Sequence, residues 1–416
     1  ICHPSPRDTV RNEFAFLRNV GFVAESIFPK WMSEIYSGAI AESVIKYYDI
    51  TIVAEEGCIF MERIGKIFKF MKEHGLECIA IKDIYTIRYL TGFTGDSSIL
   101  YADDRVAVLI TDGRYTEQAR SELKYCRVME YKADHSNSIW ETVAGLVGTN
   151  RKMGFDGEAY SYDDAKALQT SLPETIELVS VSLRSLRSVK DERELECLWQ
   201  ASKIADGAFE RLLKEIKAGM TEKELAARLE YYMRSLGSEG VSFDTIVASG
   251  HRSALPHGAP TDKVIEVGDF VTFDFGAMYN GYHSDTTRTV VMGMANSWHR
   301  EIYTVVQEAQ YRGMKAAKPG ITGKELDAEI RGYIESRGYG KYFNHGLGHG
   351  VGLEIHELPN INSRGDIPLE EGMVFSIEPG VYIQGRGGVR IEDTVVLTRE
   401  GAHSLTTLKK ILTEIV

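Results

Sequence analysis

Cysteine is scarce in this chain and forms no recognisable motif. The 416 residues include five cysteines, an odd number, and no two of them have the CxxC spacing of a thiolate metal site. This usage is typical of a protein from a reducing compartment, and it argues against a zinc site built from cysteine.

Long apolar runs and basic stretches are also missing. No run approaches the roughly 18–20 apolar residues that a membrane-spanning helix requires, and the N-terminal stretch carries charges instead of a signal-type apolar core. The formal net charge is −12 without any basic stripe, so we expect no nucleic-acid or anionic-membrane surface. A cytoplasmic protein with a sizeable core and two or three domains is the expectation.

The pattern divides the chain into three segments. Residues 1–60 show no sustained hydrophobic period, whereas an amphipathic helix is predicted to begin at Met61. Because purine-rich, ribosome-binding codons could encode Glu55-Glu56-Gly57, we hypothesise that Met61 is the natural initiator and that 1–60 is non-native; a genuine N-terminal extension is the alternative. Residues 61–188 alternate short apolar runs with helical stretches, which predicts an α/β domain. Residues 189–416 then form a second domain.

The stretch FVTFDFGAMYNGYHSDTTRTVVM, which begins at Phe270, predicts a β-hairpin. Its turn is Asn280-Gly281, a strong hairpin signal. Such a turn places Asp274 opposite position 287, and Gly276, which leaves open space, opposite Asp285. The two aspartates then share one face, with Cβ atoms roughly 5–8 Å apart. Carboxylates this close repel each other unless a proton or a cation lies between them, and two metal ions about 3.5–4 Å apart would fit such a pair.

The second domain contains a weak internal repeat. The segment that begins at Lys217 recurs from Lys318, each time as a turn followed by a capping box and an amphipathic helix. We therefore interpret 190–296 and 297–416 as two copies. In the second copy Glu378 ends a strand and Glu392 lies on a strand predicted over 388–397, so this pair is interpreted as the counterpart of Asp274 and Asp285.

A glycine-rich run, NHGLGHGVGLEIH, precedes the second acidic pair and contains His345, His349 and His356. Its alternate glycines are expected to let the imidazoles approach a ligand closely. The run lacks the Gly-Lys-Ser/Thr ending of a P-loop, the GxGxxG pattern and the histidine spacing of a zincin. An oxygen-rich set of acids with imidazole favours Mn²⁺, Fe²⁺ or Co²⁺, and Zn²⁺ stays open.

With these motifs, residues 61–416 resemble the pita-bread metallopeptidases of the Xaa-Pro dipeptidase (prolidase) and aminopeptidase P group. The resemblance implies an α/β (α+β) chain, in which a creatinase-like N-terminal α/β domain over 61–188 precedes a pseudo-twofold catalytic domain over 189–416. It also implies two divalent metal ions, with Mn²⁺ the expected ion. Asp274 would be a terminal ligand of one metal ion, Asp285 and Glu392 would bridge both ions, and His349 and Glu378 would complete the second.

The resemblance assigns further residues to the substrate. His257 matches a substrate-side histidine, and His356 matches the histidine near the tetrahedral intermediate. His345 and Arg390 match positions around the substrate. Short proline-containing peptides would be the substrates, and the family organisation implies a homodimer that uses the N-terminal domain.

The predicted mechanism uses two cations that lower the pKa of a bridging water, so that hydroxide attacks the bond preceding proline. A metal and His356 or His257 would stabilise the oxyanion, and Glu378 would carry a proton to the leaving nitrogen. Dipeptidase and aminopeptidase versions both stay open. A non-catalytic peptide-binding module and metal-free, creatinase-like hydrolysis are disfavoured because every ligand type is present. Methionine aminopeptidase-like activity would not need residues 61–188.

Overall fold

The computed structural model describes residues 55–132, 138–148 and 151–416. Residues 1–54, most of the predicted non-native segment, lie outside the described residues. The first helix runs from Glu55 to Glu73 and therefore begins before Met61, where the hydrophobic pattern predicted its start. That prediction of the helix start was wrong, because the residues just before Met61 contain no proline that would break a helix.

The chain forms two compact units. The first consists of the described residues up to Phe155 together with Tyr160–Val179, and the second of Asp156–Ala159 and Ser180–Val416. The domain limits predicted from sequence, 61–188 and 189–416, stay a prediction.

The first unit is built on a six-stranded sheet with the order β4-β3-β2-β1-β5-β6. Strands β1 to β3 are buried along their whole length, which explains why apolar residues follow one another in the middle of each strand instead of alternating with polar ones. β1 pairs antiparallel with β2 and parallel with β5. The elements are α1 Glu55–Glu73, β1 Cys78–Ile81, α2 Ile84–Thr91, β2 Ser98–Asp103, β3 Ala107–Thr111, α3 Thr116–Glu122, β4 Arg127–Glu130, α4 Ile139–Leu146, β5 Lys152–Asp156, α5 Tyr162–Ser171 and β6 Glu177–Val181.

The second unit packs four long helices against two main sheets. Their strand orders are β19-β11-β8-β7 and β13-β12-β14-β17-β18, and β9-β10 and β15-β16 form two short ribbons. Short 3₁₀ turns cover Arg184–Arg187, Gly250–Ala254 and Gly340–Tyr342. The elements are α6 Glu192–Leu212, α7 Glu222–Ser235, β7 Ile246–Ser249, β8 Phe270–Phe275, β9 Met278–Tyr279, β10 Tyr282–His283, β11 Thr286–Met292, α8 Ser297–Ala316, α9 Gly323–Ser336, β12 Gly348–Gly350, β13 Glu357–Ile361, β14 Val374–Ile377, β15 Gly380–Ile383, β16 Gly387–Arg390, β17 Asp393–Thr398, β18 Gly401–Ser404 and β19 Thr413–Ile415.

Local sequence explains where the helices begin. A capping box, in which the cap side chain and the third helical residue bond each other's backbone, opens six of the described helices. The cap residues are Ser138, Ser161, Asp191, Thr221, Asn296 and Thr322. The caps of α7 and α9 are the two predicted from the repeat. Each helix then buries one apolar stripe; in α6, Phe209 packs against Phe273 and Phe275 with ring centroids 5.3 and 5.1 Å apart.

The two copies share backbone hydrogen bonds as well as sequence. Gly219 N donates to Ile265 O over 2.9 Å, and the equivalent Gly320 N donates to Leu369 O over 2.8 Å. Separate apolar cores form under each main sheet, one around α6 and α7 and the other around α8 and α9. The repeated sequence therefore corresponds to a repeated fold, which places equivalent hairpins side by side.

The predicted hairpin forms with the predicted register. Asp274 pairs with Thr287, and Asn280 and Gly281 have φ values of 49° and 78°, the left-handed conformation that a type I′ turn requires. In both copies the long hairpin is interrupted once, so that its base joins a main sheet and its tip forms a short ribbon.

Candidate metal centre and substrate site

Two predicted acids lie at the interruptions of the hairpins. Asp285 separates β10 from β11, and Glu392 separates β16 from β17. At the base of each hairpin, the last paired residues before the interruption are Phe275 with Thr286 and Ile377 with Asp393. Asp285 and Glu392 each precede the second residue of such a pair, so they are structural counterparts. The single strand predicted over 388–397 was wrong, because the chain changes sheets at Glu392. By the same register Glu378 corresponds to Gly276, not to Asp274 as the sequence interpretation had it.

Gly276 fills a crowded position beside Asp285. A Cβ atom there would lie 1.9 Å from Ser284 O and 2.7 Å from Ser242 Oγ. The expected open space beside Asp285 is therefore absent from this part of the structure. Gly276 is needed because neighbouring backbone and a hydroxyl already occupy the volume of a side chain.

Four predicted ligands lie close together in the second unit. His349 Nε2 lies 3.4 Å from Asp285 Oδ2 and 3.5 Å from Glu378 Oε1. One ligand atom each from Asp285, His349 and Glu392 lie within 4.8 Å of one another. Their spacing and chemistry fit a divalent metal ion.

Buried like charges dominate the electrostatics of this cluster. Burial, and then the charges of Glu392, Asp274 and Glu378, raise the pKa of Asp285 well above its usual range. Burial likewise raises the pKa of Glu392, with Glu378 and Asp274 adding to the effect. Burial raises the pKa of Glu378 to about 8; Arg390 opposes this shift and Asp274 adds to it. Without a cation these acids retain protons, so a metal ion is needed to ionise them together.

His349 is held as a neutral ligand. Burial, with His356 contributing, lowers the pKa of His349 to about 4. Its Nδ1–H donates to Gly350 O over 3.0 Å, which fixes the tautomer and leaves the Nε2 lone pair facing the acids. This is the orientation that metal coordination by imidazole requires.

Asp274 has one paired and one orphaned oxygen. Its Oδ2 accepts a hydrogen bond from Arg390 Nη2 over 2.6 Å. Its Oδ1 is buried and has no hydrogen-bond partner among the described residues. Because a buried carboxylate oxygen without a partner is costly, this atom also fits a role as a metal ligand.

Arg390 connects the acids to the substrate-side residues. Its Nε donates to Thr287 Oγ1 over 3.0 Å, and Thr287 in turn donates to Glu392 Oε2 over 2.6 Å. Its Nη1 donates to Tyr382 Oη over 2.8 Å and to Pro256 O over 3.1 Å. One guanidinium therefore holds ligands from both hairpins in a fixed arrangement.

The predicted substrate histidines lie beside this cluster. The rings of His349 and His356 have centroids 4.2 Å apart. His345 Nε2 accepts from Tyr382 Oη over 2.9 Å, since its Nδ1–H donates to Gly346 O over 2.7 Å. Burial lowers the pKa of His345 to about 4 and also lowers that of His356; a positive charge on His257 would add to both shifts. His345 and His356 are therefore neutral hydrogen-bonding groups near pH 7.

The alternate glycines of the histidine run make room for neighbouring backbone. A Cβ on Gly348 would lie 2.0 Å from Ser376 O, and one on Gly350 would lie 2.2 Å from Leu358 O. The expectation that these glycines leave room for a ligand was wrong, because neighbouring backbone occupies that room. They let β12 pack tightly against its neighbours, and this packing places His349.

Comparison with known proteins agrees with this geometry. Residues 196–399 match the family described as Metallopeptidase family M24, and residues 63–189 match the Creatinase/Prolidase N-terminal domain. A protein of Pyrococcus furiosus named Xaa-Pro dipeptidase is 44% identical over 348 residues, which cover 83% of this chain and 97% of that protein. The chain belongs to metallopeptidase family M24.

Solved structures of other proteins resemble this M24 peptidase along most of its length. The structure titled Xaa-Pro dipeptidase from Bacillus anthracis matches with a TM-score of 0.81 and 42% identity, covering 85% of this chain and 99% of that one. The X-Pro aminopeptidase from Thermotoga maritima matches with a TM-score of 0.75 and 42% identity, covering 82% and 98%. The predicted class, a metallopeptidase with a creatinase-like N-terminal domain and a pita-bread catalytic domain, is confirmed.

Sequence reasoning missed Thr287, Tyr382 and Ser376 in this M24 peptidase. Ser376 Oγ donates to Glu378 Oε1 over 3.2 Å and accepts from His349 N over 3.2 Å, so it links two ligand candidates. The hairpin register could have revealed Thr287, because it faces Asp274. No feature of the sequence indicated that Tyr382 belongs to the site. Among the described helices, none is long and apolar enough to span a bilayer.

Proposed function

We propose that the protein is a metal-dependent exopeptidase that hydrolyses the bond preceding proline, in Xaa-Pro dipeptides or at the N-terminus of longer peptides. The observation that carries the proposal is the convergence of Asp285, His349 and Glu392 within 4.8 Å, with Glu378 3.5 Å from the imidazole. The names of the Pyrococcus and Thermotoga relatives support proline specificity.

Five residues would hold two divalent metal ions, with Mn²⁺ the first candidate and Co²⁺, Fe²⁺ or Zn²⁺ the alternatives. When bound, such ions lower the pKa of a water molecule and polarise the scissile carbonyl. The residues are Asp274, Asp285, His349, Glu378 and Glu392. The orphaned Oδ1 of Asp274 and the raised pKa values of Asp285 and Glu392 support this set.

Glu378 would move the proton during hydrolysis. Its carboxyl group lies among the metal-ligand candidates, with Oε1 3.5 Å from His349 Nε2, where a carboxylate can take up and return a proton. Its Oε1 is oriented by Ser376 over 3.2 Å. We infer that Glu378 accepts a proton from the attacking water and delivers it to the nitrogen of the leaving proline.

The imidazoles beside the cluster would recognise the substrate. His356 and His257 would donate hydrogen bonds to the oxygen on which negative charge develops, the kind of interaction that contributes most to such reactions. His345 and Arg390 would lie around the proline end of the substrate. Their shared partner, Tyr382, keeps its proton because burial raises its pKa to about 12.

Hydrolysis of three peptides tests the proposal. Purified protein supplied with Mn²⁺ should cleave Ala-Pro, Ala-Pro-Ala or both, and should leave Met-Ala-Ser intact. Preference between the first two peptides distinguishes a dipeptidase from an aminopeptidase. Cleavage of Met-Ala-Ser alone would replace the proposal with methionine aminopeptidase activity, and failure to cleave any of them would overturn it. The proposed homodimer is tested separately by light scattering on the eluting protein.

A further inference from the structure

Glu222 is a fully buried acid at the start of α7, outside the cluster of metal-ligand candidates. Its Oε1 accepts from Ser249 N over 2.7 Å and from Ser249 Oγ over 2.9 Å. Its Oε2 accepts from Arg252 Nε over 3.0 Å, from Thr261 N over 3.0 Å and from Thr261 Oγ1 over 2.7 Å. One carboxylate therefore joins the beginning, the first turn and the end of the segment 249–261, here called the His257 loop.

The His257 loop is hydrogen-bonded at two points to β16, the strand that carries Arg390. Pro256 O accepts from Arg390 Nη1 over 3.1 Å, and Ser253 Oγ accepts from Gly388 N over 2.8 Å. Arg252 closes the loop internally, since its Nη2 donates to Ala259 O over 2.7 Å. A shift of this loop would therefore move His257 relative to Arg390.

The second copy has no equivalent carboxylate. Lys223 N donates to Thr261 O over 3.1 Å and Lys324 N donates to Gly365 O over 2.9 Å, so the residues just before them, Glu222 and Gly323, are counterparts. A Cβ on Gly323 would lie 2.0 Å from Asn360 O, so backbone fills the space there. The carboxylate is thus a feature of the copy that carries His257, and it is not required by the repeated fold.

We propose that Glu222 is a positioning residue, whose buried carboxylate fixes the His257 loop and so sets where His257 meets the substrate; this rests on the proposed peptidase function. Glu222→Gln takes the counter-charge from Arg252 and replaces one accepting oxygen with an NH2 donor, so that either Ser249 N or Thr261 N loses its acceptor. This change loosens the loop without altering any metal-ligand candidate. A displacement of about 1 Å at a substrate-contacting group can reduce activity by about 10²-fold.

A double-mutant cycle tests this role. Glu222→Gln should reduce kcat/KM for the Xaa-Pro substrate by at least about tenfold in the wild-type background, but by less than about twofold when His257→Ala is already present. Metal content should stay unchanged. Equal losses in both backgrounds would show a general structural role and overturn the proposal. If Glu222→Gln does not fold, Thr261→Val removes one donor, keeps the carboxylate and should give the same pattern with a smaller loss.

Hydrogen exchange supplies a measurement independent of activity. Glu222→Gln should speed amide exchange in 250–260 and leave 403–410 unchanged. The matched control is Asp206→Asn, because Asp206 is also buried and accepts from Thr406 Oγ1 over 2.5 Å and Thr407 N over 2.6 Å. Asp206→Asn should speed amide exchange in 403–410, leave exchange in 250–260 unchanged and keep the wild-type kcat/KM. Unchanged exchange in 250–260 would overturn the proposal. A wild-type enzyme that cleaves no Xaa-Pro peptide would overturn the proposed function instead, and exchange would still decide whether Glu222 holds the loop.

Discussion

Glu378 lies among the metal-ligand candidates, and its Oε1 accepts a hydrogen bond from Ser376 Oγ and lies 3.5 Å from His349 Nε2. Glu378→Gln keeps the shape of the side chain but removes its titratable group, so kcat should fall by roughly 10²–10⁴-fold while the far-ultraviolet circular dichroism stays unchanged. Steady-state kinetics at matched metal content measures this. Glu371→Gln, which removes a surface carboxylate paired with Arg399, should retain full activity. A wild-type rate in Glu378→Gln would overturn the proton-carrier assignment.

Thr287 would act on the proposed metal centre through Glu392. Thr287→Val removes the hydroxyl that donates to Glu392 Oε2 and accepts from Arg390 Nε, so metal affinity should weaken by about 10–100-fold. Calorimetric titration of metal-free protein with Mn²⁺ measures it. The neighbouring Thr286→Val is the control, since Thr286 Oγ1 is buried without a hydrogen-bond partner among the described residues. Equal affinities in both variants would contradict the role given to Thr287.

At the scale of single residues, the sequence was most informative where local geometry fixes what faces what. The Asn280-Gly281 turn determines the register, so the pairing of Asp274 with position 287 could be predicted. The bonds from Arg390 to Tyr382 and Pro256 could not, because separate segments bring these groups together only in the folded chain. The error that made Glu378 the counterpart of Asp274 has the same origin, since a sequence repeat does not show where each hairpin changes sheets.

The interrupted hairpins depend on close packing at their bends. Gly276→Ala would place a Cβ 1.9 Å from Ser284 O, and such overpacking costs about 1–3 kcal/mol of unfolding free energy. Because Ser284 precedes Asp285, metal affinity should fall as well. Gly332→Ala is the control: no atom lies within 4 Å of its added Cβ in α9, and it should stabilise by about 0.5–1 kcal/mol. Urea unfolding of the metal-free variants compares them, and a Gly276→Ala protein as stable as wild type would contradict this packing argument.

At the scale of elements, periodicity and caps carried the prediction. The capping boxes at Thr221 and Thr322 are local signals and appear as predicted. The strand predicted over 388–397 failed at Glu392, because alternation of apolar residues continues through a bend while the hydrogen-bonding partners change. Element boundaries of this kind depend on tertiary pairing, which a periodic pattern does not contain.

For the whole molecule, the buried acids predict how stability depends on pH when no metal is bound. Burial raises the pKa of Glu378 from 4.5 to about 8, so the folded protein holds a proton that the unfolded chain has released, and unfolding free energy falls as pH rises through that window. His349, with a pKa lowered from 6.5 to about 4, has the opposite effect only below pH 6.5. Metal-free protein should therefore lose stability between pH 6.5 and 8.

Differential scanning calorimetry tests this dependence. The melting temperature of metal-free protein should be lower at pH 8 than at pH 6.5, and added Mn²⁺ should raise it more at pH 8, because ligands must lose protons to bind metal. Glu378→Gln should show a smaller difference between the two pH values. A metal-free melting temperature that rises from pH 6.5 to 8 would contradict the assignment of retained protons to the cluster.

The pairing of the last strand affects how the two copies of the second unit fold. β19 leaves the second copy and pairs in parallel with β11 of the first, with Gly293 N donating to Ile415 O over 2.7 Å. During synthesis, the edge of β11 therefore stays unpaired until β19 has been made. An unpaired strand edge can pair with other chains and cause aggregation. If the first copy were expressed alone, the β11 edge would stay unpaired, and the second copy expressed alone would carry β19 without its partner strand.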